Sequence, residues 1–299
     1  MRIGYPCINR TVECQGDKTF RLKNYSEKRL IETVKNNLEC LEKILEYNRK
    51  NQILFFRISS DIVPFASHPI CEFDWQGHFS EDFRSIGRFV KKFNMRISMH
   101  PDQFIVLNSK RSEVVENSVR ELVYHAEIMD AMELDIEQKI QLHIGGMYGD
   151  KTASKARFVK RYVELPEEVK KWLVLENDDR IYNIEDCLDV SGRTGVPVLF
   201  DYFHDNMNPS EIELSETFKL VKKTWKAKDG LPMVDYSSQR KKDKSKSHAE
   251  SIDLRDFRRF LDDSRPHDMD VMLEIKDKEK SALKAVRLAR KDSRFLING

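Results

Sequence analysis

Apolar and polar positions along this chain follow two alternating rhythms. Eight short runs, RIGYP, ILFFRISSD, RISMHPDQ, IQLHIGG, WLVLEND, VPVLFDYFHD, LPMVDYSSQ and DVMLEIKD, are dense in β-branched, aromatic and aliphatic residues. They are too continuous for strands with one wet face and read as strands buried on both faces. Between them the period lengthens to that of a helix. Residues 26–50 place Leu30, Val34, Leu38, Leu41 and Leu45 on one stripe, behind Ser26 as a suitable N-cap. Residues 80–93 repeat the pattern with Phe83, Ile86, Phe89 and Val90, and residues 112–134 and 151–163 follow the third and fourth strands. Shorter helical stretches follow Asn183, Ser210, Ile252 and Asp277. Strand and helix thus alternate about eight times with no linker or composition shift between them. The pattern predicts an α/β protein, a single (β/α)8 barrel filling residues 1–299 as one domain. A doubly wound open sheet would use fewer strands and usually a glycine-rich first turn, which RIGYPCIN lacks, and no nucleotide cofactor is expected.

Composition narrows the class. The 299 residues suit one barrel, which needs about 250. An apolar content of 40% can fill a large core, and no apolar stretch is long enough to span a membrane. MRIGYPCIN runs straight into the first strand, leaving no room for a signal peptide. Five cysteines without a CxxC spacing point to a reduced, cytoplasmic protein with neither a disulfide framework nor a cysteine zinc site. A net charge of +2 means that affinity for nucleic acid must come from a local patch. The one biased stretch is QRKKDKSKSH, carrying Arg240, Lys241, Lys242, Lys244 and Lys246. Such runs are usually solvated loops. This one lies between the seventh strand and His248, where it would overhang the barrel mouth and meet a polyanion.

At or just past the strand ends sit His68, His100, His143, Glu176, Asp201, His204, Asp235 and Glu274, with His248 in the loop after Asp235. Any one of them has an ordinary explanation, as a hydrogen-bonded histidine or a helix N-cap. Five of the eight histidines fall at strand C-terminal ends, however, and a parallel barrel gathers those ends at one mouth. His125, in a helical stretch, and His78 and His267, in expected loops, read as structural or exposed. Imidazole with carboxylate and no thiolate suits zinc, manganese or iron. Nine ligands are too many for one ion and imply a cluster of two or three, with Glu176 and Glu274 as candidate bridges. Such a cluster serves phosphoryl displacement, or the polarisation of a sugar carbonyl or hydroxyl as in sugar isomerases. The glycines of His143-Ile-Gly-Gly are expected to admit close backbone approach by a large substrate.

With these motifs assembled, the chain resembles the UV damage endonuclease (UVDE, UvsE) family over nearly its whole length. The resemblance rests on RIGY, RISSDIVPFASHP, SMHPDQFIVLNS, LHIGG, LENDD, FDYFHD, DYSSQ, SHAESID and MLEIKDKE. That family is similar in fold and metal chemistry to endonuclease IV-type repair enzymes. The resemblance implies incision of DNA on the 5′ side of UV photoproducts, cyclobutane pyrimidine dimers and 6-4 photoproducts, with abasic sites as further substrates and a 3′-hydroxyl product. It implies metal ligation by His68, His100, His143, Glu176, Asp201, His204, His248 and Glu274, with manganese favoured over zinc or another divalent ion. Glu176, Glu274, His68 and His248 would carry catalysis. Gln103 and Phe104 match the pair that wedges into the duplex, with Phe104 at a position often tyrosine. Tyr5 and Asn9 match residues lining the lesion pocket. The partner would be UV-damaged double-stranded DNA, met by a monomer in the cytoplasm, at the nucleoid if the source is prokaryotic.

The seventh strand departs from the family pattern. Members often carry Lys-x-His there, the lysine chemically modified beside the metals, whereas this chain has Met233-Val234-Asp235. Asp235 can still offer oxygen to a hard divalent ion, but Met233 cannot replace a lysine or its carboxylated form. Three other readings remain: an abasic-site endonuclease with the same chemistry, a sugar isomerase or epimerase with a closed pocket, and a non-catalytic DNA-binding barrel.

Overall fold

The structure, a computed structural model, describes residues 1–102, 104–238 and 247–297. Each apolar run contains a strand of four or five residues, nearly all of them buried. In chain order, with the helices between them, the elements are β1 (Ile3–Pro6), α1 (Glu27–Lys50), β2 (Phe55–Ile58), α2 (Trp75–His78), α3 (Ser80–Lys92), β3 (Arg96–Met99), α4 (Ser112–Ala131) and β4 (Lys139–His143). They continue as α5 (Lys151–Glu164), α6 (Glu167–Lys170), β5 (Leu173–Glu176), α7 (Ile184–Thr194), β6 (Val198–Asp201), α8 (Tyr202–Met207), α9 (Leu214–Thr224), β7 (Met233–Tyr236), α10 (Leu254–Asp263), β8 (Asp270–Leu273) and α11 (Glu279–Ala289). The strands pair in sequence order, all parallel, and β8 returns to β1 to close the barrel. The expected (β/α)8 barrel is what forms.

The helical stripes face the barrel as their spacing requires. Leu30, Val34, Leu38, Leu41 and Leu45 of α1 are buried, and the Ser26 side chain accepts from Arg29 N at 3.3 Å as the N-cap. On α3, Phe83, Ile86 and Val90 are buried, while Phe89 lies half-buried at the rim of the core. Gly87 of α3 approaches the end of α4 so closely that an added Cβ would stand 1.7 Å from the carbonyl oxygen of Met132. His78 lies in the short α2 rather than in a loop.

The inside of the barrel is less apolar than the usual branched-aliphatic filling. Toward the N-terminal ends of the strands, Asp270 Oδ2 accepts from Arg2 NH1 and Arg96 NH1, each at 2.9 Å. Arg96 is fully buried and spends its remaining donors on the carbonyls of Glu137, Leu231 and Asp229. Lys139 Nζ donates to Asp229 Oδ1 at 2.7 Å beside them. Charge buried at this depth is tolerated only because each group is paired and hydrogen-bonded.

One expectation fails on the fold. Cys14 and Cys40 form a disulfide, where their number and spacing suggested free thiols. The long β1–α1 loop folds back along α1, where a Cβ added at Gly16 would stand 3.5 Å from the Cys40 side chain, so residues 26 apart in sequence become neighbours. Nothing in the local spacing announces that return. Cys7, Cys71 and Cys187 are free. Among the described residues no helix is long and apolar enough to cross a membrane.

The Asp270 node generates a stability prediction. Asp270→Ala strands two buried guanidinium groups and is expected to cost about 3–5 kcal/mol in urea unfolding, with a lowered midpoint. A loss under about 1 kcal/mol would contradict the view that this network is closed.

Candidate metal centre

Register brings the candidate ligands together. β4 and β5 place His143 opposite Glu176, and β6 and β7 place Asp201 opposite Asp235. His100 follows β3 by one residue and Glu274 follows β8 by one. All lie at the C-terminal mouth of the barrel. Among the described residues three groups of ligand atoms result, each within 4.8 Å: His100 with His143 and Glu176, Glu176 with Asp201 and His204, and Asp201 with Asp235 and Glu274.

Glu176 is the hinge of this arrangement. Its Oε2 lies 3.3 Å from His100 Nε2 and 3.8 Å from His143 Nε2, while Oε1 lies 3.4 Å from His204 Nδ1. The two oxygens of one buried carboxylate therefore face two different sets of histidines. Supporting contacts aim the ligands. His100 Nδ1 lies 2.9 Å from the Pro101 carbonyl, which keeps a proton on Nδ1 and leaves Nε2 free to bind a cation. Asn177 exchanges hydrogen bonds with the Asp201 backbone at 3.0 and 2.8 Å, locking the ends of β5 and β6 together. Gln141 Nε2 donates to Glu176 Oε2 at 2.9 Å and Asp235 Oδ2 at 2.8 Å.

The electrostatics describe a site short of positive charge. Burial alone would raise Glu176, yet His143, His100 and His204 hold it well below the usual carboxylate range. Burial, with Glu176, Glu274 and Asp235 nearby, pushes Asp201 well above that range despite His204. Burial also raises Asp235 to about 7, against the pull of Arg57. Glu274 is lowered to about 2, because Arg57 outweighs its burial. His204 is lifted to about 11 against its burial by Asp201 and Glu176. Four carboxylates cannot all ionise here without added cations. Among the described residues the buried Asp235 Oδ1, His143 Nδ1 and His248 Nδ1 have no hydrogen-bond partner. A nitrogen and oxygen donor set with orphaned buried atoms fits divalent ions.

The other expected residues are scattered. His248 Nε2 lies 3.4 Å from Glu274 Oε2 and its ring packs 5.0 Å from that of Phe203. His68, expected among the ligands, is exposed at the end of a loop, outside all three ligand groups, and its Nδ1 accepts from Ile70 N. Tyr5 and Asn9, expected in the lesion pocket, are tied to each other. Tyr5 is 0% exposed because its side chain points out of the barrel to α1, where the hydroxyl donates to Asn48 Oδ1 and accepts from Asn9 Nδ2. Asn9 Oδ1 accepts from Thr11 N and Val12 N and so shapes the loop. Phe104 is 67% exposed beside the mouth. Gln103, Arg240, Lys241, Lys242, Lys244 and Lys246 lie outside the described residues. Gly145 and Gly146 have an internal reason: Gly145 sits at φ +106°, with Asn108 Oδ1 where its Cβ would be, and Asn108 Nδ2 donates to the Gly146 carbonyl at 2.7 Å.

Three residues at the mouth escaped the sequence reading. Arg57 and Gln141 are polar side chains inside strands buried on both faces, and such groups must find partners within the barrel. Gln141 also precedes His143 by two, which puts both on one face. Lys278, at a strained φ of +54°, joins Cys7, Glu274 and Arg57 along a cleft of about 310 Å3. A second cleft, of about 430 Å3, opens over His100, His143 and His204.

Comparisons with known proteins place the chain in a family. The UV-endonuclease UvdE family matches residues 1–295. The UV DNA damage endonuclease of Clostridium perfringens (strain 13 / Type A) is 39% identical over 298 residues, spanning 99% of this chain and 72% of that protein. The crystal structure of SacUVDE superposes with a TM-score of 0.93 at 44% identity, over 97% of this chain and 98% of that one. Two more distant barrels share the fold alone. They are endonuclease IV from Thermus thermophilus (TM-score 0.58, 15% identity, 97% and 98% covered) and D-psicose 3-epimerase from Clostridium cellulolyticum (0.55, 12%, 84% and 93%). With its full-length family match and its close likeness to SacUVDE, this chain belongs to the UV-endonuclease UvdE family.

Proposed function

We propose that this protein is a metal-dependent DNA-repair endonuclease. It incises the phosphodiester 5′ to UV photoproducts, and also at abasic sites, and leaves a 3′-hydroxyl. The observation that carries the reading is the Glu176 carboxylate, whose oxygens face two histidine sets at the floor of an open mouth. His100 and His143 would hold one divalent ion with Glu176, and Asp201 and His204 another. Bound ions, manganese being favoured, would polarise the phosphodiester and activate water.

The chain's own residues do the rest. Glu274 and His248 form the opposite wall, placed to hold or relay a proton beside the reacting phosphate. Lys278 and the basic residues at 240–246 would bind flanking phosphates and fix register without reading sequence. A crosslinked dipyrimidine pairs and stacks poorly, so extruding it costs less than extruding normal bases. Phe104, with Gln103, would enter the space it leaves. An exposed phenyl ring at the rim has little to gain from folding and much to gain from stacking on a base.

Three measurements check this. On a duplex with one thymine dimer, Mn2+ is expected to support a single nick immediately 5′ to the lesion. EDTA should abolish it, and Glu176→Gln should slow it on the order of 100-fold or more. Phe104→Ala should weaken binding to the damaged duplex by about 5- to 150-fold and leave undamaged duplex unaffected. Cutting of an abasic duplex alone would move the assignment to abasic-site repair, and no cutting of any DNA by metal-loaded protein would contradict the nuclease reading. In thermal unfolding, Mn2+ at about 100 times its Kd should stabilise the wild type by about 2.7 kcal/mol, and Glu176→Gln should lose that shift. An equal shift in the variant would place the metal elsewhere.

A further inference from the structure

The third ligand group already contains a cation. Arg57 lies inside the barrel on β2, 4% exposed, and its NH2 donates to Asp235 Oδ2 at 2.6 Å while its NH1 donates to Glu274 Oε1. Asp235 Oδ2 receives a second donor, Gln141 Nε2, at 2.8 Å. Two of the three carboxylates of this group are therefore tied to one guanidinium, which stays charged at any accessible pH. The first two groups differ. They have histidine nitrogens and share Glu176, and their histidines become neutral ligands on binding metal.

We propose that the Arg57 guanidinium holds the cation position among Asp201, Asp235 and Glu274, so that this chain carries two divalent ions, both on Glu176, rather than three. The inference rests on the metal reading of the mouth given above. Its physical basis is charge. With Arg57 paired to two of them, the four mouth carboxylates retain three negative charges, which two divalent ions exceed by one. A net single positive charge suits one phosphodiester. A third ion would stand beside a guanidinium in a water-poor pocket, where like charges repel strongly. Arg57 is then a positioning residue: it aims Asp235 and Glu274 and fixes how many ions enter. Asp235, on the strand that departs from the family's Lys-x-His, acts as the partner of Arg57 instead of as a terminal metal ligand.

Native mass spectrometry and elemental analysis after equilibration with Mn2+ and desalting test this without reference to activity. Two ions per chain are expected for the wild type, for Asp235→Asn and for Arg57→Lys, which keeps the charge. Arg57→Met should admit a third ion, and if it stays at two the guanidinium is not what holds the position. Three ions in the wild type, falling to two in Asp235→Asn, would overturn the proposal even if Arg57→Met does not fold. Absence of any bound ion would instead overturn the metal reading itself.

Discussion

Carboxylates buried at the mouth of a barrel must meet positive charge, and the rest of this structure follows from how that demand is met. The buried Glu176, Asp201 and Asp235 and the half-buried Glu274 converge where four strands end, with little water to share the cost of their ionisation. The histidines cover one side, through Glu176, and Arg57 covers the other, through Asp235 and Glu274. What remains negative could hold divalent ions. The same logic operates at the opposite end, where Arg2, Arg96 and Asp270 pair with one another deep in the barrel. One end is paired and inert, and the other is left with a deficit that chemistry can use.

The scaffold keeps that deficit in place. A closed barrel has no free edge, so each ligand's strand is held by neighbours on both sides. Small polar residues then remove the remaining freedom. Asn177 ties the ends of β5 and β6, Gln141 spans from Glu176 to Asp235, and Asn108 fastens the glycines that follow His143. Preorganised ligands of this kind lose little entropy on meeting a metal or a phosphate. The exposed Phe104 is the counterpart, an apolar ring left at the rim where a nucleic acid would arrive.

Much of this was legible in the sequence, for physical reasons. Strands buried on both faces must be continuously apolar, so all eight stood out, and their polar ends marked His100, His143, Glu176, Asp201 and Glu274 as a group. What escaped depended on direction or on distant contacts. Tyr5 lies on the correct strand but faces α1, since a strand turns alternate residues to opposite sides. His68 lies past its strand by a whole loop, and loop paths are not written in periodicity. Arg57 was passed over as one charge in an apolar run, although a buried arginine in a strand demands acidic partners. The Cys14–Cys40 contact depends on a loop doubling back, which no local spacing reports.

The central claim is that one carboxylate, Glu176, joins two metal positions. Anomalous diffraction at the manganese edge, from crystals equilibrated with Mn2+, tests it most directly. The account predicts two peaks flanking Glu176, one beside His100 and His143 and the other beside Asp201 and His204, roughly 3.5–4 Å apart. Manganese density that leaves Glu176 untouched would contradict it.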